Sequence, residues 1–283
     1  YTAGAAVSPD IIRFFQAVGI NVKQLYGLSE TGVNTCHRNG DVDPATSGVA
    51  LPRNEVKIAP DGEVLIKTDM MFLGYYKDPQ AKNAKVDGDG YFHTGDYGHL
   101  DEKKHLIVID RVADMKELAG GQKYSPQFTE VRLRFSPYIK DALIIGNKSH
   151  SYVTGIINID FENVGKWAEA HHISYTTFLD LSQKDEVAEL IKGDIQNVNR
   201  VLPDAARVKR FVCLHKEFDA DEAELTRTRK IRRAFVEERY KNIIEEMHGD
   251  RKEIAVQSEV TYQDGRKGIL RAFVKVRDLE NRG

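Results

Sequence analysis

With 283 residues and a formal net charge of −2, the chain has room for two ordinary domains. It lacks the charge imbalance that would by itself argue for a nucleic-acid or membrane partner. Hydrophobic residues at 41% and charged residues at 30% exclude a disordered chain and fit a soluble globular one. No apolar run approaches the roughly 20 residues that span a bilayer, and no stretch reads as a signal peptide. Cys36 and Cys213 are too far apart in sequence to suggest a disulfide framework or a metal spacing, so a reducing cytoplasmic setting is expected. The opening on Tyr1, inside a glycine and alanine turn, reads as the start of a fragment or a trimmed chain.

In chain order, Ser8-Pro9-Asp10 reads as an N-cap, a first-turn proline and a dipole-favoured acid. The predicted helix runs to about Val18 and stops at Gly19. A strand is predicted from Ile20 to Leu25, ending at Tyr26-Gly27. Two apolar alternations between Glu55 and Lys67 flank Pro60-Asp61-Gly62, a hairpin signal. Short strands follow at Tyr91-Phe92 and from Leu106 to Ile109, giving a small antiparallel barrel or sheet. After Arg111 the pattern changes. Leu143–Ile145 and Val153–Ile159 read as buried strands, Lys166–His172 and Asp185–Leu202 as helices, and Arg207–Leu214 as a strand. Ile231, Phe235, Tyr240, Ile243, Ile244 and Met247 are predicted to line one helix that ends at Gly249. A last hairpin, Ile254–Tyr262 and Ile269–Val276, would turn at Asp264-Gly265. The domain boundary is placed near Arg111 to Asp114. The fold class is α+β: residues 1–112 as one domain with a barrel-like subdomain, and residues 113–283 as a second α+β domain.

Several short motifs carry chemistry-bearing residues. Small residues at a strand-to-helix turn, Thr2-Ala3-Gly4-Ala5-Ala6-Val7-Ser8, either make an ordinary tight turn or let a flat ligand approach the backbone. In Tyr26-Gly27-Leu28-Ser29-Glu30-Thr31-Gly32 an aromatic face could pack on a base. Its hydroxyl and carboxylate could hold a phosphate oxygen and Mg²⁺, or the segment is a glycine-punctuated loop. Gly62-Glu63-Val64-Leu65-Ile66 and Gly74-Tyr75-Tyr76 read as scaffold. Tyr91-Phe92-His93-Thr94-Gly95-Asp96 ends in an acid that suits two hydroxyl donors at once, or is a turn aspartate. Asp110-Arg111 offers a guanidinium fork for ribose or phosphate, and Gly120-Gly121 before Tyr124-Ser125-Pro126 permits a loop lying close to a ligand. Finally, five of the seven residues from Arg227 to Arg233 are basic, which taken alone reads as a solvated helix start or an anion-facing patch.

Taken in order and spacing, these motifs resemble the adenylate-forming superfamily of acyl-CoA synthetases, peptide synthetase adenylation domains and luciferases. The resemblance covers residues 1 to about 248 and is strongest at YGLSETG, YFHTGD, DRVADMKELAGGQKYSP and LTRTRKIRR. The leucine-alanine run before the paired glycines and the TRTRK loop are similar to the long-chain fatty acid–CoA ligase branch. The resemblance implies that this is the end of the large adenylation domain followed by a mobile lid domain. It implies ATP-dependent conversion of a carboxylic acid to acyl-AMP and then to an acyl-CoA thioester. ATP or AMP, Mg²⁺ and coenzyme A would be the ligands, with a fatty acid as substrate.

By the same resemblance Gly4, Ala5, Ala6, Tyr26 and Gly27 would line the adenine pocket. Ser29 would face the phosphates, Glu30 would hold Mg²⁺, and Asp96 and Arg111 would hold the ribose. Lys230 would be the mobile catalytic lysine, Ala113 would mark the hinge, and Gly120 and Gly121 would line the pantetheine tunnel. No nucleic-acid partner is implied; a peripheral association with the inner face of a membrane and a homodimer stay open.

Three departures stand out. No Ser/Thr/Gly-rich phosphate loop ending in lysine occurs in the 283 residues, so the chain alone is expected to be catalytically incomplete. Ala113 stands where relatives usually carry Asp or Lys, and Glu117 where long-chain relatives often have Lys. The hairpin from Lys252 to Val276 lies beyond the usual end, with packing or a dimer edge as its expected use. Two alternatives to the ligase remain: an acyl-AMP ligase that loads a carrier protein, and a non-catalytic AMP-binding module.

Overall fold

The computed structural model describes all residues except 5, 6, 8, 228, 262–266 and 280–283. The expected Ser8 cap and the Asp264-Gly265 turn lie outside the described residues. The chain forms two compact units, Tyr1–Met115 and Lys116–Gly283.

In the first unit, helix α1 (Pro9–Ala17) ends on Gly19 in the left-handed region, φ +82°. Gly19 N–H donates to Gln16 O at 3.0 Å and Ile20 N–H to Phe15 O at 2.8 Å, which satisfies the last carbonyls of the helix. This cap and the turn after it occupy residues 20–23, so the strand predicted from Ile20 starts later, as β1 (Leu25–Leu28). Tyr26 and Gly27 therefore lie inside a strand. β1 pairs antiparallel with β2 (Gly32–Cys36), and β2 with β3 (Val49–Ala50). A bulge falls between Tyr26 and Gly27.

The antiparallel element is present as a four-stranded sheet. β4 (Asn54–Ile58), β5 (Glu63–Thr68), β6 (Phe92–Leu100) and β7 (Leu106–Arg111) stand in the order β4-β5-β6-β7, with α2 (Pro79–Asn83) between β5 and β6. Pro60-Asp61-Gly62 turns β4 into β5 as expected, with Gly62 at φ +92°. Val64, Ile66 and Leu106 form the core of this sheet, and the Tyr26 ring packs against it. Val112–Asp114 follows β7 as a short 3₁₀ turn.

The second unit begins with a small hairpin, β8 (Lys116–Glu117) and β9 (Lys123–Tyr124), whose turn holds the paired glycines. Helix α3 (Pro126–Leu133) is capped by Ser125, whose hydroxyl accepts from Phe128 N–H at 2.9 Å, with proline in its first turn. Then come β10 (Ile139–Ile145), β11 (Val153–Ile159), α4 (Phe161–Ala170), α5 (Phe178–Ser182), α6 (Asp185–Asn199), β12 (Val208–Cys213), α7 (Arg233–Arg239), α8 (Lys241–His248), β13 (Glu253–Thr261) and β14 (Lys267–Asp278). Five strands make one sheet in the order β10-β11-β12-β14-β13, with β11 and β12 parallel. Ile144, Ile157 and Phe211 point to a core shared with Leu133, Ile191 and Ile195. Leu143, Ile156 and Val212 point to the other, shared with Val236, Tyr240 and Met247. The sheet is thus buried on both faces, which explains why these strands read as continuous apolar runs.

Two helix expectations need correction here. The helix predicted from Lys166 begins five residues earlier, at Phe161, because Asp160 caps it by accepting from Asn163 N–H at 2.9 Å. The single helix predicted to Gly249 is two helices broken at Tyr240, whose backbone leaves the helical region at φ −102°, ψ 19°. Phe235 accordingly is not on the buried side; it is 38% exposed. Of the two uses expected of the terminal hairpin, packing is the one seen, since β14 pairs with β12 through Val276↔Val212, Arg277↔Phe211 and Asp278↔Arg210. Among the described residues no helix is long and apolar enough to cross a membrane.

Candidate functional site

Three residues that lie far apart in sequence meet at one carboxylate. β1 supplies Tyr26, β6 supplies Asp96, and β7 supplies Arg111, which stands directly across the ladder from Asp96. Tyr26 Oη donates to Asp96 Oδ2 at 2.7 Å, and Arg111 Nη1 lies 3.0 Å from Asp96 Oδ1. Asp96 is buried while the Arg111 side chain is half exposed. Burial pushes the Asp96 carboxyl above the usual carboxylate range, and the Tyr26 hydrogen bond and the Arg111 charge pull it back. Burial first, and the neighbouring Asp96 second, raise the Tyr26 hydroxyl far above its ordinary value, so it stays a neutral donor. A carboxylate has about four lone-pair directions. Two are taken here, so Asp96 can accept two more donors.

The turn that presents Asp96 is built by the residues of its own motif together with Glu63, which the sequence analysis read as scaffold. Gly95 sits at φ +72°, and its N–H donates to Glu63 Oε1 at 2.8 Å. The other Glu63 oxygen lies 2.7 Å from His93 Nδ1. Thr94 is buried; its hydroxyl donates to Val64 O at 2.6 Å and accepts from Asp96 N–H at 3.0 Å. Arg111 Nη1 also donates to Thr94 O at 3.2 Å. The only sequence signal for Glu63 is a carboxylate at the start of an apolar strand, which is easily taken for surface.

Ser29 and Glu30 form the turn between β1 and β2, with Ser29 exposed. Glu30 is anchored from the segment after β5: Tyr75 Oη donates to Glu30 Oε1 at 2.8 Å and Phe72 N–H to Glu30 O at 2.8 Å. Tyr75 was also read as scaffold. Gly27 is required sterically, because a Cβ there would stand 2.0 Å from Gly32 O. Gly4 lies at φ +84° with open space where a Cβ would be, just past the point where Thr2 pairs alongside Lys23 and Leu25. Ala5 and Ala6 lie outside the described residues.

The remaining predicted residues sit elsewhere. Ala113 is exposed in the 3₁₀ turn. Gly120 and Gly121 form the exposed β8–β9 turn; Gly121 is at φ +78° and its N–H donates to Leu118 O at 2.9 Å. Glu117 pairs with Lys148 at 3.3 Å within the second unit. Lys230 is exposed on a narrow loop. Thr226 N–H donates to Lys230 O at 2.8 Å, Lys230 N–H donates to Thr226 Oγ1 at 3.0 Å, and Leu225 bridges Ile231. Arg229 takes a left-handed turn at φ +59°. Among the described residues no three His, Cys, Asp or Glu side chains form a metal cage.

The first unit thus holds a buried carboxylate braced by a tyrosine and a half-exposed arginine, and the second holds an exposed lysine on a two-stranded loop. Residues 1–76 match the model of the AMP-binding enzyme family, and residues 114–252 match the AMP-binding enzyme C-terminal domain. The chain belongs to this AMP-binding enzyme family. It is 30% identical over 250 residues to the long-chain-fatty-acid–CoA ligase FadD15 of Mycobacterium bovis, covering 87% of this chain and 41% of that protein. The adenylation domain of a carboxylate reductase from Mycobacterium chelonae shares the fold, at TM-score 0.59 and 22% identity over 88% of this chain and 38% of that one. So does the corresponding domain from Segniliparus rugosus, solved with AMP and a carboxylic acid, at TM-score 0.57 and 20% identity over 87% and 38%. The chain spans about two fifths of the length of the curated relatives it matches.

Proposed function

We propose that this chain carries the ribose-binding carboxylate and the catalytic lysine of an AMP-forming long-chain fatty acid–CoA ligase. The observation that carries the reading is the Tyr26–Asp96–Arg111 cluster, a buried carboxylate braced on two sides with capacity for two further donors. A ribose 2′,3′-diol supplies two such donors, and Arg111 is exposed enough to reach the same sugar or its phosphate. Gly4 and Gly27 offer backbone surface and Tyr26 its ring to the base; the assignment of Ala5 and Ala6 to the same pocket rests on the sequence resemblance alone. Ser29, exposed at the β1–β2 turn, offers a hydroxyl to phosphate. Glu30 fits Mg²⁺, because its Oε2 is not the oxygen taken by Tyr75 and this ion needs only one or two carboxylates beside phosphate oxygens and water. Bound there, Mg²⁺ would neutralise phosphate charge.

The reaction runs in two displacements. A fatty acid carboxylate oxygen attacks the α-phosphorus of ATP, pyrophosphate leaves, and acyl-AMP forms. The coenzyme A sulfur then attacks the acyl carbon, the acyl–phosphate bond breaks, and AMP leaves with the electron pair. The Lys230 ammonium stabilises the charge that builds on the α-phosphate in the first displacement. Gly120 and Gly121 leave backbone space for the pantetheine arm in the second, after a rotation about the segment around Ala113. A cytoplasmic setting suits these substrates.

The test separates the two displacements in the full-length protein. Lys230→Ala is expected to slow acyl-AMP formation roughly 10²–10³-fold. Thioester formation from preformed acyl-AMP should fall far less. Equal losses in both steps would overturn the assignment of Lys230.

A further inference from the structure

The loop that presents Lys230 is anchored on a carboxylate that lies outside every motif singled out in the sequence. Glu224 is fully buried. Its Oε2 accepts from Lys216 Nζ at 3.1 Å and from Asp219 N–H at 2.9 Å. Its Oε1 accepts from Tyr240 Oη at 2.6 Å and lies 3.3 Å from Arg239 Nε. An isolated buried carboxylate would be very costly, but four donors, two of them cationic, make this one a rigid node. Lys216 and Arg239 also share Glu222. The segment that supplies Lys216 is pinned in turn by buried Asn158 of β11, which donates to Lys216 O at 3.1 Å and accepts from Phe218 N–H at 2.6 Å.

The node sits at the root of the lysine loop. Arg232 N–H donates to Glu224 O at 2.8 Å, and Leu225 bridges Ile231 in the next rung. Thr226 and Lys230 close the rung above. Glu224 thus stands at the foot of a two-stranded stalk whose last rung contains Lys230: its main-chain oxygen meets the returning strand at Arg232, and its carboxylate anchors the foot to Lys216, Asp219, Arg239 and Tyr240. Through Tyr240 it also fixes the break between α7 and α8, the helices that follow the loop. On the far side, Arg233 forms an ion pair with buried Glu130 of α3 and donates to Ile144 O at 3.0 Å.

We infer that Glu224 is a positioning residue for Lys230: its carboxylate holds the stalk and the Tyr240 break in one arrangement, so that the exposed ammonium is presented at a fixed height and direction. This rests on the reading of Lys230 as the lysine of the adenylation step. A displacement of about 1 Å in such a group can cost on the order of 10²-fold in rate. Glu224 itself touches no substrate in this scheme, so its loss should leave substrate affinity alone.

The test uses two variants, each removing part of the node at nearly constant volume. Glu224→Gln removes the charge seen by Lys216 and Arg239, and Tyr240→Phe removes one donor with the ring kept. In the full-length protein each is expected to lower kcat for acyl-AMP formation at least about tenfold, with KM for ATP and the rate of thioester formation from preformed acyl-AMP unchanged. In the 283-residue chain the Lys230 and Arg232 amides should exchange hydrogen faster, while β11 and β12 amides keep their protection. A Lys230→Ala arm separates the two ideas. If Lys230→Ala slows adenylation selectively and both node variants match the wild type, the positioning role is wrong and the lysine reading stands. If Lys230→Ala has no selective effect, the lysine reading itself has failed. A uniform loss of protection and of both half-reactions would assign Glu224 to global folding and overturn the inference.

Discussion

The Asp96 carboxylate is placed between two donors of unequal kind, the neutral Tyr26 hydroxyl at 2.7 Å and the Arg111 guanidinium at 3.0 Å. Each was legible as a motif residue, because a tyrosine before glycine, an acid after a glycine turn and an arginine after a strand are all local patterns. Their convergence was not legible, since it depends on β1 packing its tyrosine onto the β4–β7 sheet core. What was missed is how residues act on the backbone of the turn. Glu63 was read as scaffold and Thr94 only as part of the motif ending in Asp96, and nothing local shows that their hydrogen bonds hold the turn that carries Asp96. An Asp96→Asn substitution keeps the shape and removes the charge. Hydrogen bonds to a charged acceptor contribute about 1.5–3 kcal/mol each. AMP affinity of the chain, read by isothermal titration calorimetry, should therefore fall at least about tenfold. Equal dissociation constants for the variant and the wild type would remove the ribose assignment.

Among the elements, some local signals were read and others were passed over, and the features set by tertiary pairing were hidden. The Pro60-Asp61-Gly62 turn and the Asp185 helix were read from their own signals; the Ser125-Pro126 cap of α3 and the Asp160 cap of α4 carry equally local signals that were not read as helix starts. The break at Tyr240 carries none, because the apolar spacing continues through the kink, and the glutamate that meets the Tyr240 hydroxyl there lies sixteen residues earlier. Packing was one of the two uses expected of the terminal hairpin, but the strand it packs on was hidden, since strand order is a three-dimensional fact. β14 covers the edge of β12, Gln183 Oε1 accepts from Lys275 N–H at 3.0 Å, and Ile254, Val274 and Val276 complete the core shared with Met247. Each of those buried side chains contributes about 1.5–3 kcal/mol relative to exposure. Ending the chain at Lys252 should thus destabilise the second unit by roughly 5 kcal/mol or more and expose the β12 edge. Urea unfolding followed by circular dichroism would measure this. A truncated chain as stable as the whole would show that the hairpin is dispensable.

Across the whole molecule, the buried histidines give stability a direction in pH. Burial, with Lys216 next, lowers His215 to about 4; burial, His150 and Arg210 lower His248 to about 4. Burial also depresses His150, whose ring stacks on His248 at 3.6 Å, and His37 in the first unit, whose Nδ1 accepts from Gln24 N–H at 3.0 Å. All four are therefore held neutral in the native state, and the unfolded chain binds their protons first, near pH 6.5. Where the unfolded state binds more protons, stability falls as pH falls. The contribution is fully present above about pH 7 and is lost progressively between about 6.5 and 4. Partial burial of Asp141 and Asp194 and burial of Glu130 shift these carboxyls upward, and their protonation opposes the trend at the acid end. The histidine share is therefore read at the upper end of this range, between about pH 7 and 5.5. Over it His215 and His248 should each take away about 1 kcal/mol, from 1.36 kcal/mol per pKa unit. Urea unfolding at the two pH values should show this loss, and His215→Leu should remove its own share of the slope. Stability that stays flat over this window would mean that these imidazoles accept protons without opening the fold.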